Sequence, residues 1–519
     1  MVKHDTKKVI HIGAKELPIG DLLSSEFEYV WRSDLLEPPI QDEPVFKSET
    51  FNRYYQDALF LIDATSPWID LPSVLTALPA NQILCDKSVK ISNKCQRILD
   101  LKGTHLFDFE DPEKLADQIN SGFFGSQDGY RFQPKSFTIA PNFRGEVCQI
   151  GQVFHEFKVT FKDQWQLIAY PNVAQWVGPN VQYAISVEFE RMDDAVHIKA
   201  VINQFDAQTV ELLRSDEKTD EQLRQEFQIK GGKSGVNIQL LIFVSGTGTF
   251  KLGQFHMRLS REPYGEFLLN GRRLVEPIGM NTDLAVYFDA GDLRPPLNVY
   301  FSGYRTAEGF EGNYMMRSLG APFLLFTDPR LEGGAFYLGS HELQKQIISV
   351  IQETLARLHF DPSDLILSGL SMGTFGALYY GAQLSPRAIV VGKPLVNIGT
   401  IAAGTRLTRP SGFETSLDML MFYEGDLNRV NEMNQRFWKV FKAANFKHTT
   451  FVFAYMLNDD YDPHAFPEIR DYLKEAEPTV RILSKGLVGR HNDNTDGIVD
   501  WFLMQYRHLL QQQFDRHFD

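Results

Sequence analysis

Cysteine is scarce in this chain: Cys85, Cys95 and Cys148 are the only three among 519 residues. No C-x-x-C spacing occurs, so neither a disulfide framework nor a zinc site is expected. A reducing compartment fits, with each cysteine a small buried residue. Positive charge is also in deficit, 52 lysines and arginines against 66 aspartates and glutamates, a net charge of -14. That balance argues against non-specific nucleic-acid binding. Long apolar runs are missing as well. The opening "MVKHDTKKVIHIGAKELP" has no apolar signal-peptide core, and no uninterrupted stretch reaches the roughly twenty residues a membrane helix needs. The expectation is a cytoplasmic protein.

What is present reads as a folded, modular α/β protein. With 43% hydrophobic and 23% charged residues, the chain is ordinary in composition but too long for one core. Residues 1–125 carry short apolar runs, "VIHIGA", "ALFLID", "QILCD" and "HLFDF", with Asp111-Pro112 opening a helix. This predicts a small α/β, Rossmann-like domain, although Gly13 begins no dinucleotide fingerprint. Residues 126–285 change to period-two alternation, as in "YAISVEFER", which predicts a β-sandwich of jelly-roll, carbohydrate-binding-like type. Within it "GGKSG" imitates a phosphate loop, but Phe227 stands where the leading glycine belongs, and a hairpin turn is expected instead. Trp165, Trp176 and Tyr170 suit either a sugar-stacking face or, preferably, the core.

Residues 286–519 return to strands alternating with helices. "LNVYFSG" and "APFLLFTD" read as buried parallel strands. In 341–358, Leu343, Ile347, Val350, Ile351, Leu355 and Leu358 recur at helical spacing. The strand "LILSG" then runs into Gly369-Leu370-Ser371-Met372-Gly373 and a helix, the Gly-x-Ser-x-Gly elbow that presents a nucleophilic serine. An α/β-hydrolase domain is therefore expected, with 394–430 as a possible cap.

Such a serine needs a base, and the base needs an acid, in the chain order serine, acid, histidine. His491 lies in a polar loop ahead of the last helix and is preferred as base over His464, which sits beside the acid loop. The acid lies among Asp459, Asp460 and Asp462, with Asp460 favoured because D-x-x-P follows the strand. The backbone N–H of Met372 is the first oxyanion candidate, and the Gly303–Tyr304 loop the second. Arg330, Glu332, Gly334 and Tyr337 lie where ligands of open α/β sheets gather. They could contact a polar acceptor such as a sugar, or only order their own loop. No metal is expected.

Taken together, "GLSMGTFGALYYGA", "GRHNDNTDG" and the three-part architecture resemble the second accessory secretory protein family of the accessory Sec system. The resemblance spans essentially the whole chain. It implies a cytosolic protein, peripheral at the membrane through the translocase, that O-acetylates N-acetylglucosamine on serine-rich repeat glycoprotein adhesins and supports their export. It also implies partnership with the first and third accessory secretory proteins and the accessory Sec motor ATPase. The family nucleophile falls on Ser371 and the histidine on His491; the acid stays open among the three aspartates. No cofactor is expected, and no coenzyme motif identifies the acetyl donor. A non-catalytic export scaffold and a carbohydrate esterase are the alternatives.

Overall fold

Five parallel strands open the chain, in the order Phe27–Arg32, Lys7–Ile12, Leu59–Ile62, Ile83–Asp86, His105–Phe107. The computed structural model describes residues 6–32, 44–47, 50–407 and 417–518. Four of the five strands coincide with the apolar runs read from sequence. The helix Pro112–Gly122 begins as expected, Asp111 accepting the N–H of Lys114 and Pro112 filling the first turn.

The next sheet has ten antiparallel strands built around two long ones, Phe154–Pro171 and Val236–Leu259. Its halves close on one apolar core, where the rings of Phe157 and Phe250 stack at 4.9 Å. Three expectations are corrected here. Trp165 and Trp176 are not core residues but 39% and 58% exposed. Trp176 pairs with Asn237, on the outward face that period-two alternation leaves to odd positions of the long strand. Cys148 is exposed, because the strand Glu146–Ile150 is an edge with four of its five residues in solvent. The "GGKSG" turn joins strands that each pair with Gln182–Arg191, so it is not a hairpin.

The third sheet has eight strands, numbered in chain order: β1 Arg272–Val275, β2 Asp283–Asp289, β3 Leu297–Phe301, β4 Phe323–Thr327, β5 Leu365–Leu370, β6 Ala388–Gly392, β7 Thr450–Met456 and β8 Arg481–Leu487. Their order across the sheet is β1-β2-β4-β3-β5-β6-β7-β8, parallel except for β2. β1 and the start of β2 come from the stretch assigned by texture to the sandwich, so this sheet starts earlier than residue 286. The helix His341–Leu358 buries all six residues of its predicted face. The central strands are wholly buried, as parallel strands covered by helices on both faces must be.

In the expected cap, Ile398–Leu407 and Asp418–Glu424 are helices, and 408–416 fall outside the described residues. Met419 and Leu420 pack into the main core with Phe437. Asp418 reaches the sandwich, accepting the N–H of Gln152 at 3.1 Å.

Candidate active site

Ser371 terminates β5 and precedes the helix Met372–Leu384, with φ 52° and ψ -121°. A side chain seldom occupies that backbone region, and its presence there marks a turn over-determined by its surroundings. Both flanking glycines are required. A Cβ on Gly373 would lie 2.0 Å from the Phe301 carbonyl oxygen, and one on Gly369 would lie 2.3 Å from that of Gly373. The helix thus packs directly on β3, and the turn is sharp enough to lift Ser371 clear of the sheet.

His491 meets it from the loop after β8. Ser371 Oγ and His491 Nε2 are 2.8 Å apart, and His491 Nδ1 stands 2.8 Å from Asp459 Oδ2. Read as a tautomer, Nδ1–H donates to Asp459 and Nε2 accepts from the serine hydroxyl. His491 is only 1% exposed, and Tyr461 stacks on its ring at 4.2 Å with an 8° tilt. Burial pushes the Asp459 carboxyl up, but the hydrogen bond from His491, with those from the N–H groups of Asp462 and Tyr461, outweighs it and leaves the group below the usual carboxylate range.

The preference for Asp460 is therefore corrected. Asp460 accepts the backbone N–H of His491 at 3.0 Å and leaves the ring to its neighbour. Asp459 is turned inward because its other oxygen accepts the N–H groups of Tyr461 and Asp462, a local turn that aims the carboxylate at the histidine. Asp462 is buried elsewhere, accepting the N–H groups of Val396 and Asn397, and burial raises its carboxyl. His464 is exposed ahead of the next helix.

A pocket of about 480 Å³ opens on Ser371. Met372, Gly303 and Tyr304 all line it. Gly303 is corrected as a donor: its N–H is committed to Glu311 Oε2 at 2.7 Å. The four residues expected on a substrate do not line the pocket. Arg330 is buried in a bidentate pair with Asp328, both contacts 2.8 Å, and Asp328 also accepts the N–H groups of Ala335 and Tyr337. Tyr337 donates its hydroxyl to the Ser302 carbonyl, and a Cβ on Gly334 would strike Met372 at 2.3 Å. Glu332 belongs to the same loop. Arg330 in particular satisfies its charge within the segment, so the loop is ordered by its own hydrogen bonds; its contribution to the pocket is Phe336.

Sequence reasoning missed Glu311, Lys393 and Tyr461. Lys393 donates to the Asp493 carbonyl and Thr495 Oγ1, both at 3.0 Å, bracing the histidine loop. No motif marks these positions; only the spacing of Tyr461, two residues beyond the acid, could have suggested an aromatic shelf.

Known proteins are similar to this chain over most of its length. Residues 7–516 match the accessory Sec system GspB-transporter family. An accessory Sec system protein of Staphylococcus aureus is 43% identical over 418 residues, 78% of this chain and 77% of that protein. One from Streptococcus gordonii is 38% identical over 414 residues, 79% and 80% of the two chains. A chain of the Glycosylation Associate Protein (Gap123) complex from Streptococcus agalactiae superposes with a TM-score of 0.84 at 33% identity, covering 98% of this chain and 99% of that one.

Proposed function

This chain belongs to the accessory Sec system GspB-transporter family, and from that membership we propose that it is a serine-dependent O-acetyltransferase acting on N-acetylglucosamine of an exported glycoprotein adhesin. The observation that carries the reading is the unbroken chain Ser371–His491–Asp459, opening into an accessible pocket. Ser371 Oγ attacks the carbonyl carbon of an acetyl donor while His491 Nε2 takes the hydroxyl proton. The tetrahedral oxyanion is met by the N–H of Met372, with the N–H of Tyr304 in the turn after Gly303 as the second donor, each contributing about 3 kcal/mol. Collapse expels the donor's leaving group, which takes the proton from His491, and leaves acetyl-Ser371. A sugar hydroxyl then attacks the ester, its proton passing to His491 and on to Ser371, and the acetylated sugar departs.

Water entering in place of the sugar would make the protein an esterase. Transfer is favoured by a wall that excludes water, and Phe336, Leu370, Leu395, Ile498 and Val499 supply apolar surface around the serine. That the solved relative comes from a multi-protein complex supports association with other accessory secretory proteins. We extend the proposal to the adhesin and the motor ATPase as partners, in the cytoplasm. Among the described residues no helix is long and apolar enough to cross a membrane.

The test is the mass of adhesin glycopeptides from cells carrying wild-type or Ser371→Ala protein, with expression and partner binding followed in parallel. Loss of the acetyl increment with the complex intact is the expected result. An unchanged acetyl pattern would overturn the transferase and leave a non-catalytic export scaffold.

A further inference from the structure

A carboxylate beside a forming oxyanion is electrostatically adverse, yet Glu311 lines the same pocket as Ser371 and His491. Its placement is specific. Oε2 accepts the N–H of Gly303 at 2.7 Å, and its own backbone N–H donates to Ser302 Oγ at 3.3 Å, so it closes the loop that leaves β3 into a tight ring. The middle of that loop is held from outside, by the sandwich and the segment leading into it. Gln127 exchanges two hydrogen bonds with the backbone of Phe310, at 2.8 and 2.9 Å. Arg131 donates to the carbonyls of Arg305 and Thr306. Glu308, buried, accepts from Arg258 at 2.6 Å and pairs with His256 at 2.6 Å. With its centre fixed, the conformation of the loop next to Ser371 depends on what its two ends do to each other.

Building on the acyl-transfer reading above, we infer that Glu311 is a positioning residue: its carboxylate clamps Gly303 and so sets the Gly303–Tyr304 turn against the carbonyl oxygen of the reacting acetyl group. The charge is tolerated because the oxygen facing the loop is spent on an N–H group, which a neutral amide oxygen could equally engage. This separates a clamp from an acid, a base or a substrate contact.

The experiment uses the full chain with p-nitrophenyl acetate as acyl donor, a fluorophosphonate probe for Ser371 and phenylboronic acid as a tetrahedral mimic. Glu311→Ala should lower kcat about 100-fold, the cost of one oxyanion donor. KM should stay within about twofold, and boronate inhibition should weaken by a factor similar to the loss in kcat. Glu311→Gln, which keeps an acceptor oxygen, should restore kcat to within about fivefold of wild type. An alanine variant with unchanged kcat, or with only KM altered, would overturn the clamp. Where alanine fails to fold, the glutamine variant decides: near-wild-type kcat supports the clamp, and loss as deep as in Ser371→Ala refutes it. Wild-type protein that neither turns over the ester nor takes up the probe removes the nucleophile reading and this inference with it; active wild type with an undisturbed alanine variant removes the inference alone.

Discussion

Asp459 and Asp460 are adjacent, both carboxylates and both bonded to His491, yet one reaches the imidazole and the other only the backbone. Their replacement by asparagine should therefore differ sharply. Asp459→Asn offers Nδ1–H a weaker, neutral acceptor or a competing amide donor, and the wrong tautomer at Nε2 should reduce kcat by about 10⁴-fold. Asp460→Asn keeps an oxygen for the peptide N–H and should cost about tenfold at most. Aryl acetate turnover by the two variants, at matched circular dichroism, checks the assignment; equal losses would refute it. The order serine, acid, histidine was legible in the sequence, and so were Ser371 and His491 as the pair that meets. The choice among three aspartates was not, because it depends on which carboxylate the Asp459–Asp462 turn directs inward. The misassigned Arg330 teaches the same lesson: its partner Asp328 is two residues away, and sequence alone cannot tell an arginine bonded to its own loop from one awaiting a ligand.

At the scale of elements, the elbow is a contact between two backbones, with glycine as the condition for it. Gly373→Ala would place a methyl 2.0 Å from the Phe301 carbonyl oxygen, which belongs to β3 and cannot rotate away. The helix Met372–Leu384 would have to lift, and we expect a loss of about 3 kcal/mol in stability together with loss of fluorophosphonate labelling at Ser371. A denaturation midpoint equal to wild type would show that the helix does not rest on β3 as described. Strands of this sheet with dense apolar runs were readable from composition, and so was the buried face of His341–Leu358. β1 was not, since a four-residue strand owes its existence to its antiparallel partner β2 rather than to any period of its own. In the stretch expected as a cap, the described helices place Met419 and Leu420 on the core beside Phe437, a contact no period of their own announces.

For the molecule as a whole, the sandwich and the eight-stranded sheet are joined by buried charge. Arg258 forms a bidentate pair with Asp283 at 2.7 and 2.8 Å, and His256 lies between Glu188 at 3.1 Å and Glu308 at 2.6 Å. Burial drives His256 toward neutrality, but the two glutamates more than reverse it, raising its pKa to about 9, while Glu308 is held down to about 2 against its own burial. The signs follow from linkage. A histidine raised from 6.5 to about 9 contributes stability that is complete below pH 6.5 and is lost as pH rises through about 9. Glu308, lowered from 4.5 to about 2, contributes stability that is present above pH 4.5 and is lost as pH falls through about 2. Lys7, lowered to about 7 by burial, works against the histidine at alkaline pH, so the wild-type curve alone does not isolate the cluster. The difference between wild type and His256→Gln does. The variant should melt lower below pH 6.5, where it lacks the imidazolium between two carboxylates, and the gap should close between pH 6.5 and 9. A gap constant across that window would mean that the histidine is neutral in the folded protein and that the charge joining the sandwich to this loop and sheet is carried by Arg258 with Asp283 and Glu308. A closing gap would make the charge itself the fastening, and the same titration should then loosen the Glu308 end of the loop that Glu311 closes beside Ser371.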